Sequence, residues 1–157
     1  IFRISITLSN LIKFVFMKKY LLLILLPLIF SCSQDAFNNN NPYLPNYGFS
    51  TTINMNLPQY SQLLYTANAV YVNNAGAGIR GIFVFNTGNE NYVAFDAACP
   101  NQALSSCSTM TINGIKALCS CDGAQYSFFS GQAEGQQYPM KQYRVQRISA
   151  TSLRIYN

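Results

Sequence analysis

Residues 99–124 read CPNQALSSCSTMTINGIKALCSCDGA and contain four of the five cysteines of the 157-residue chain. The four are Cys99, Cys107, Cys119 and Cys121. A turn at Asn113-Gly114 separates the first two from the last two, and β-prone residues flank it at 109–112 and 115–118. Asn-Gly is the strongest short hairpin signal, because both central residues of a type I′ turn need positive φ. The stretch therefore predicts a short hairpin with cysteines on either side.

Short β-prone segments continue on both sides of this stretch. From Phe49 to Leu57 apolar residues alternate with polar ones, which is the period of a half-buried strand, and Pro58 ends it. Residues 58–65 are compatible with either a helical turn or a loop. Further strands are predicted at 69–72, 79–86, 92–96, 126–129, 142–148 and 153–156. Strands that recur about every 8 to 15 residues, with no long helical period, predict one antiparallel all-β domain over residues 49–157.

The first 48 residues have a different composition. Met17 and Lys18-Lys19 precede an apolar run that ends at Ser31-Cys32. This order resembles a bacterial lipoprotein signal and implies cleavage before Cys32 and acylation of Cys32. A membrane-spanning anchor is the alternative, but the run has about half of the roughly 20 residues that a spanning helix needs. We therefore expect residues 1–16 to be untranslated upstream sequence or a mis-set start, residues 17–31 to be the signal peptide, and residues 32–48 to be a lipidated Asn/Pro-rich tether. In many bacterial lipoproteins an aspartate directly after the acylated cysteine signals retention at the inner membrane. Ser33 occupies that position here, so the resemblance implies the outer membrane, and we expect the domain to face the periplasm.

Charge and composition narrow the possible functions. Four of the ten basic residues precede Cys32 and all five acidic residues follow it, so cleavage leaves six basic and five acidic side chains, a net charge of +1. The chain has no Lys/Arg cluster of the kind that nucleic acids bind, and we expect no nucleic-acid partner. It also has no histidine. This removes the commonest general base and the commonest metal ligand together, and we expect no enzymatic activity.

The cysteine stretch resembles the cluster-binding half of a Rieske iron–sulfur protein. The residues that carry the resemblance are Cys99-Pro100-Asn101 and Cys119-Ser120-Cys121-Asp122-Gly123. In that family two cysteines bind one iron of a [2Fe–2S] cluster and two histidines bind the other. Cys99 and Cys119 fall on the cysteine positions, whereas Asn101 and Asp122 fall on the histidine positions. The closing pattern of the family also matches at Tyr126, Gly131, Gly135, Pro139-Met140 and Tyr143. The resemblance implies a small antiparallel Rieske-like β-sandwich or barrel with disulfide-linked loops.

The departures from the family pattern determine the expected chemistry. The Asn101 amide is no strong iron ligand, and the Asp122 carboxylate is a harder ligand than the imidazole it would replace. We expect no cofactor, and the alternative is a [2Fe–2S] cluster with altered ligands. The resemblance further implies a Cys107–Cys121 disulfide between the two loops. It also implies that Cys99 and Cys119, as ligands of one iron, lie close enough to form a second disulfide. A redox-active pair at Cys119 and Cys121, activated by Lys116, is a further alternative.

Together these observations predict a non-catalytic function. We expect an outer-membrane lipoprotein whose cluster-free Rieske-like domain is a binding or assembly subunit of an envelope complex. It would contact the membrane through acylated Cys32 and would bind one or more envelope proteins. By analogy, outer-membrane secretion machinery such as the type 9 system uses accessory lipoproteins of this general kind. The alternatives are a [2Fe–2S] electron carrier with altered ligands and a thiol–disulfide exchange protein.

Overall fold

The computed structural model describes residues 39–157, which form nine β-strands and one 3₁₀ helix. In chain order these are β1 (Ser50–Asn54), the 3₁₀ helix (Pro58–Leu64), β2 (Ala69–Val72), β3 (Ile82–Gly88), β4 (Asn91–Asp96), β5 (Thr111–Asn113), β6 (Lys116–Leu118), β7 (Gln125–Ser127), β8 (Gln142–Ser149) and β9 (Ser152–Tyr156). The predicted antiparallel all-β domain is confirmed. Residues 1–16, the signal peptide at 17–31 and the acylation site Cys32 lie outside the described residues. Between residues 39 and 157 no helix has the length and apolar character needed to cross a bilayer.

Two antiparallel sheets build the domain. The large sheet has the strand order β1-β9-β8-β4-β3-β2, and the small sheet has the order β5-β6-β7. β8 changes partner along its length, because Gln142 and Tyr143 pair with β4 whereas the residues from Arg144 onward pair with β9. The large sheet is curled, and Ile53 of edge strand β1 shares a core cluster with Val72 of the opposite edge strand β2. A curled large sheet with a small sheet beside it agrees with the small antiparallel β-sandwich or barrel that the sequence analysis predicts.

Two hydrophobic cores lie on the two faces of β3. Residues 82–85 of this strand read IFVF, and all four side chains are buried. Successive side chains of a strand point to opposite faces, so Ile82 and Val84 join the core inside the curled sheet while Phe83 and Phe85 join the core against the small sheet. The second core also contains Cys119. Each buried phenylalanine contributes roughly 1.5–3 kcal/mol, and this packing positions the small sheet and its cysteine loops.

The hairpin turns differ from the sequence prediction. Asn113 pairs with Lys116 in the β5–β6 ladder, so the two-residue loop is Gly114-Ile115. Of the loop residues only Gly114 has a positive φ, 60°, which is the pattern of a type II′ turn. The type I′ prediction for this hairpin is therefore wrong, because Asn113 remains in the ladder. A type I′ pattern occurs instead between β3 and β4, where Asn89 and Glu90 have φ values of 51° and 61°.

Residues 39–48, which the sequence analysis assigns to the tether, lie against the domain, and we call them the strap. The Asn39 side chain exchanges two hydrogen bonds with the backbone of Gln142, donating to its carbonyl at 2.9 Å and accepting from its N–H at 3.1 Å. Asn41 Nδ2 donates to the Pro100 carbonyl at 2.7 Å, and Leu44 is buried. Short amide side chains satisfy backbone groups without regular secondary structure. The packed domain thus includes the strap in addition to residues 49–157.

Candidate functional site

Two disulfides join the loop between β4 and β5 to the loop between β6 and β7. The sulfur atoms of Cys99 and Cys119 are 2.10 Å apart, and those of Cys107 and Cys121 are 2.08 Å apart. This is the pairing that the family resemblance implies. The Cys99–Cys119 disulfide, which we call the inner disulfide, has both residues buried, with exposed fractions of 1% and 0%. In the outer disulfide, Cys107–Cys121, Cys107 is exposed and Cys121 is half-buried.

The two disulfides lie side by side. The sulfur atoms of Cys99, Cys119 and Cys121 are all within 4.8 Å of one another. Hydroxyl groups surround the outer disulfide, with Ser105 Oγ 3.2 Å from Cys107 Sγ and 3.7 Å from Cys121 Sγ. Cys119 and Cys121 belong to different disulfides, so the alternative of one redox-active Cys-x-Cys pair does not match this arrangement.

Asn101, on one of the two histidine-equivalent positions, connects the first cysteine loop to two other parts of the domain. Its Nδ2 donates to the hydroxyl oxygen of Tyr126 at 2.9 Å and to the Tyr138 carbonyl at 2.8 Å. Its Oδ1 accepts from the Tyr138 N–H at 2.8 Å. All three contacts use the amide character of the side chain, because they need a donor and an acceptor on the same group. Burial raises the pKa of Tyr126, and the hydrogen bond from Asn101 opposes that rise.

Asp122, on the other histidine-equivalent position, forms a local turn. It is exposed, and its Oδ1 accepts a hydrogen bond from the Ala124 N–H at 2.9 Å. Gly123 between them has a φ of 74°, a left-handed conformation that favours glycine. The Gly123 N–H donates to the Cys119 carbonyl, and the Cys119 N–H donates to the Ala124 carbonyl, both at 2.9 Å. Asp122 is thus part of a closed turn that holds Cys119.

These residues do not fit a [2Fe–2S] cluster of the Rieske type. The two sulfurs that would bind one iron are bonded to each other. The Asn101 side chain, which would have to bind the second iron, has its oxygen and nitrogen engaged with Tyr138 and Tyr126. The remaining position offers an exposed carboxylate, whereas the family uses an imidazole. Reduced thiolates in this place would favour soft metal ions, but the residues supply no complete set of Rieske ligands.

Asp96, at the end of β4, is a buried carboxylate that the sequence analysis did not single out. Its Oδ2 accepts hydrogen bonds from the Ile79 N–H and the Tyr143 hydroxyl, both at 2.6 Å. Its Oδ1 accepts from the Ala98 N–H at 2.7 Å and from the Arg80 N–H at 3.4 Å. Burial raises the pKa of Asp96, and these hydrogen bonds oppose the rise. Burial and the adjacent carboxylate both raise the pKa of Tyr143. The available signal in the sequence was an acidic residue at the end of a predicted strand, where a buried carboxylate needs hydrogen-bond donors.

Gly131, one of the residues on which the family resemblance rests, occupies a position that favours glycine. Its φ is 72°, and a Cβ atom here would lie 2.9 Å from the ring of Phe95. The Gly131 carbonyl accepts from the Met140 N–H at 2.8 Å, and the Lys141 carbonyl accepts from the Asp96 N–H at 2.8 Å. These contacts place residues 131–141 beside β4, next to Tyr138 and its clamp on Asn101.

Comparison with known proteins finds distant similarity to solved ferredoxin structures. No family model matches the chain, and no curated protein matches it. The oxygenase–ferredoxin complex of carbazole 1,9a-dioxygenase is similar at 17% identity with a TM-score of 0.41, over 58% of this chain and 82% of that one. The Sphingomonas yanoikuyae B1 ferredoxin is 19% identical with a TM-score of 0.42, over 61% and 93%. The carbazole 1,9a-dioxygenase ferredoxin of Nocardioides aromaticivorans IC177 is 13% identical with a TM-score of 0.43, over 67% and 96%. Likeness at this level concerns the fold and assigns no activity to this chain.

Proposed function

We propose that this protein is a non-catalytic binding or assembly subunit in which a Rieske-like domain has exchanged its cluster for disulfides. One observation carries the proposal: the histidine-equivalent Asn101 is a structural clamp with three hydrogen bonds to Tyr126 and Tyr138. A residue used in this way holds the loops together and leaves no atom for a metal. Two disulfides that close loops of this size stabilise a domain by about 3 kcal/mol each in the chain-entropy model.

The envelope location is part of the same proposal. The lipoprotein-like signal before Cys32 supports export and acylation, and disulfides persist in the oxidising compartments outside the cytoplasm. In this proposal the acylated Cys32 holds the domain at the outer membrane on its periplasmic side, where it binds a protein partner of an envelope complex. By analogy, that complex is a secretion complex of the type 9 kind. The end of the domain that carries the two disulfides is the rigid surface that the partner binds.

The cofactor part is tested by chemical analysis of the full chain purified from membranes without oxygen. We expect no free thiol among Cys99, Cys107, Cys119 and Cys121 before reduction, and iron far below one atom per chain. The same preparation is then reduced and incubated with iron and sulfide, with an authentic Rieske ferredoxin as the control for reconstitution. Two irons per chain with visible cluster absorption in the first preparation would overturn the proposal and favour an electron carrier with altered ligands.

The partner part is tested by cross-linking in intact cells followed by affinity purification of the full chain. We expect one envelope protein to be recovered in fixed proportion to the bait. A matched variant, Cys32→Ala, is expected to lose both acylation and the partner if the membrane anchor is needed for the encounter. Recovery of the chain as a lone monomer, with the anchor intact and under cross-linking conditions, would contradict the binding role.

The exposed outer disulfide favours thiol–disulfide exchange as a second candidate function. A thiolate of an external dithiol would attack Cys107 Sγ, break its bond to Cys121 and release the Cys121 thiolate. The second thiol of the dithiol would then displace Cys107, so that the dithiol leaves as a disulfide and the chain gains two electrons and two protons as two thiols. The assay is reduction of insulin by the pre-reduced full chain. Exchange that survives Cys99→Ala/Cys119→Ala and disappears in Cys107→Ala/Cys121→Ala supports this function; equal rates in the two variants would contradict it.

A further inference from the structure

A polar cavity of about 330 Å³ lies between the strap and the start of β8. Its lining residues are Asn39, Asn46, Gly48, Gln142, Arg144 and Asn157. Hydrogen bonds hold its walls: Asn39 is bonded to the Gln142 backbone, and Asn46 Oδ1 accepts from Asn157 Nδ2 at 2.7 Å. The same oxygen accepts from the Nζ of Lys141 at 2.9 Å, and burial lowers the pKa of that buried lysine. The cavity is therefore a structured feature of the domain, of a size that small ligands occupy.

Several polar groups in the lining have no hydrogen bond within residues 39–157. They are the guanidinium of Arg144, the side-chain amide of Gln142 and the Nδ2 of Asn46. Arg144 and Asn46 are exposed and Gln142 is half-buried, so an external ligand can reach all three groups. The Asn39 side chain differs from these groups, because both its nitrogen and its oxygen are hydrogen-bonded to the Gln142 backbone. The groups that remain are mainly donors, and one of them carries a full positive charge. Such a set matches an anionic oxygen ligand, and a planar guanidinium matches a carboxylate with two parallel hydrogen bonds.

The charge around the cavity points to the same ligand class. Arg144 pairs with Tyr156 across β8 and β9, and Arg154 pairs with Gln146, so the two arginines lie on one face as diagonal neighbours, about 7–8 Å apart. Arg154 donates to Ser50 Oγ and lies over the Tyr156 ring, with no acidic partner within the described part of the chain. None of the described residues that line the cavity has an acidic side chain. The ion pair between described side chains joins Arg147 of β8 to Glu90 in the β3–β4 turn, and neither residue lines the cavity. Two cations on one face, with no acidic side chain in the adjacent cavity, favour an anion from outside.

We propose that this cavity binds a small carboxylate that also carries hydroxyl groups, which is the chemistry of a sugar acid. The carboxylate binds the Arg144 guanidinium, and the hydroxyl groups bind the amides of Gln142 and Asn46. The cavity is distinct from the disulfide-linked loops, and this inference stands apart from the proposed binding or assembly role.

The test is a titration of the isotope-labelled full chain, in a detergent without a sugar headgroup, followed by NMR. D-glucuronate is the probe, D-glucose is the same ring without a carboxylate, and acetate is a carboxylate without hydroxyl groups. We expect D-glucuronate to shift the Arg144 side-chain signal and the Gln142 side-chain amide, with a dissociation constant of about 1 mM or below. D-glucose and acetate are each expected to bind at least about tenfold more weakly, because each lacks one set of contacts.

Two substitutions on the same strand make the test specific. Arg144→Gln is expected to weaken D-glucuronate binding by about tenfold or more, whereas Arg147→Gln, which removes an equal charge outside the cavity, leaves it within about twofold. Arg144→Lys keeps the charge without the planar fork and is expected to be intermediate. Equal binding of D-glucose and D-glucuronate, an unchanged affinity in Arg144→Gln, or shifts that map outside the cavity in the unsubstituted chain would each overturn the proposal. Absence of any shift at about 50 mM D-glucuronate would do the same.

Discussion

The inner and outer disulfides should contribute unequally to stability, although their loops are of similar size. The residues they join are 20 and 14 positions apart. In the chain-entropy model, loops of these lengths stabilise the folded state by about 3.3 and about 3.0 kcal/mol. Loop closure alone therefore predicts almost equal losses for Cys99→Ala/Cys119→Ala and Cys107→Ala/Cys121→Ala.

Packing is expected to separate the two variants. Both residues of the inner disulfide are buried in the core that contains Phe83 and Tyr126, whereas Cys107 is exposed. Replacing two buried sulfur atoms by hydrogen costs about 1 kcal/mol each in lost burial, with a further cost for the cavity. We therefore expect a loss of about 5 kcal/mol for the inner pair and about 3 kcal/mol for the outer pair. Against a typical total of about 5–15 kcal/mol, the inner loss brings the domain close to its unfolding threshold.

The assay is equilibrium unfolding of the full chain and both double variants in guanidinium chloride, followed by circular dichroism. Double variants are used so that no unpaired thiol remains to exchange. The slope m is expected to rise in both variants because an uncrosslinked unfolded chain exposes more surface, so the comparison uses the free energy of unfolding extrapolated to zero denaturant. An outer-pair loss equal to or larger than the inner-pair loss would refute the argument that burial, rather than loop closure, makes the difference.

Three further predictions concern single side chains. Asn101→Leu removes three hydrogen bonds and leaves Tyr138 without its donor and acceptor partner, so we expect a loss of about 3 kcal/mol in the same unfolding assay; a loss below about 0.5 kcal/mol would contradict the clamp. Gly131→Ala combines a positive φ with a contact on the Phe95 ring and is expected to cost about 2 kcal/mol, and wild-type stability would show that the loop relaxes freely. Because the pKa of Asp96 is raised in the folded state, its contribution to the free energy of unfolding is fully present below about pH 4 and declines as pH rises through the folded-state pKa. Equilibrium unfolding at several pH values should show that decline in the wild type but not in Asp96→Asn. Parallel pH dependence in the two proteins would contradict the prediction.

Local sequence patterns predicted most of the strands and the class of fold. The alternation at 49–57 and the β-prone runs at 79–86 and 92–96 predict the spacing of buried side chains, which depends only on neighbours along the chain. The β5–β6 turn shows where such reasoning fails. Asn-Gly favours a type I′ turn locally, but pairing of Asn113 with Lys116 shifts the loop by one residue, so the ladder overrides the dipeptide preference.

The candidate site was predicted in part. The family resemblance of the cysteine stretch implied the disulfide pairing, and the missing histidines indicated that a Rieske cluster has no complete ligand set. Sequence reasoning did not find what replaces the histidines: Asn101 binds Tyr138, 37 residues away. It also did not find that Tyr143 donates to Asp96 across 47 residues.

The sequence by itself determined the strand periods, the number of cysteines and the absence of imidazole, because each of these is a property of residues or of their near neighbours. Only the tertiary structure decided that the strap reaches β8 across 103 residues, that Asp96 meets four donors, and that the two disulfides are adjacent. Partners so far apart in the chain meet only after both sheets have formed and packed. A hydrogen bond or a cavity wall depends on that final placement, and the local pattern around any one of its residues does not encode it.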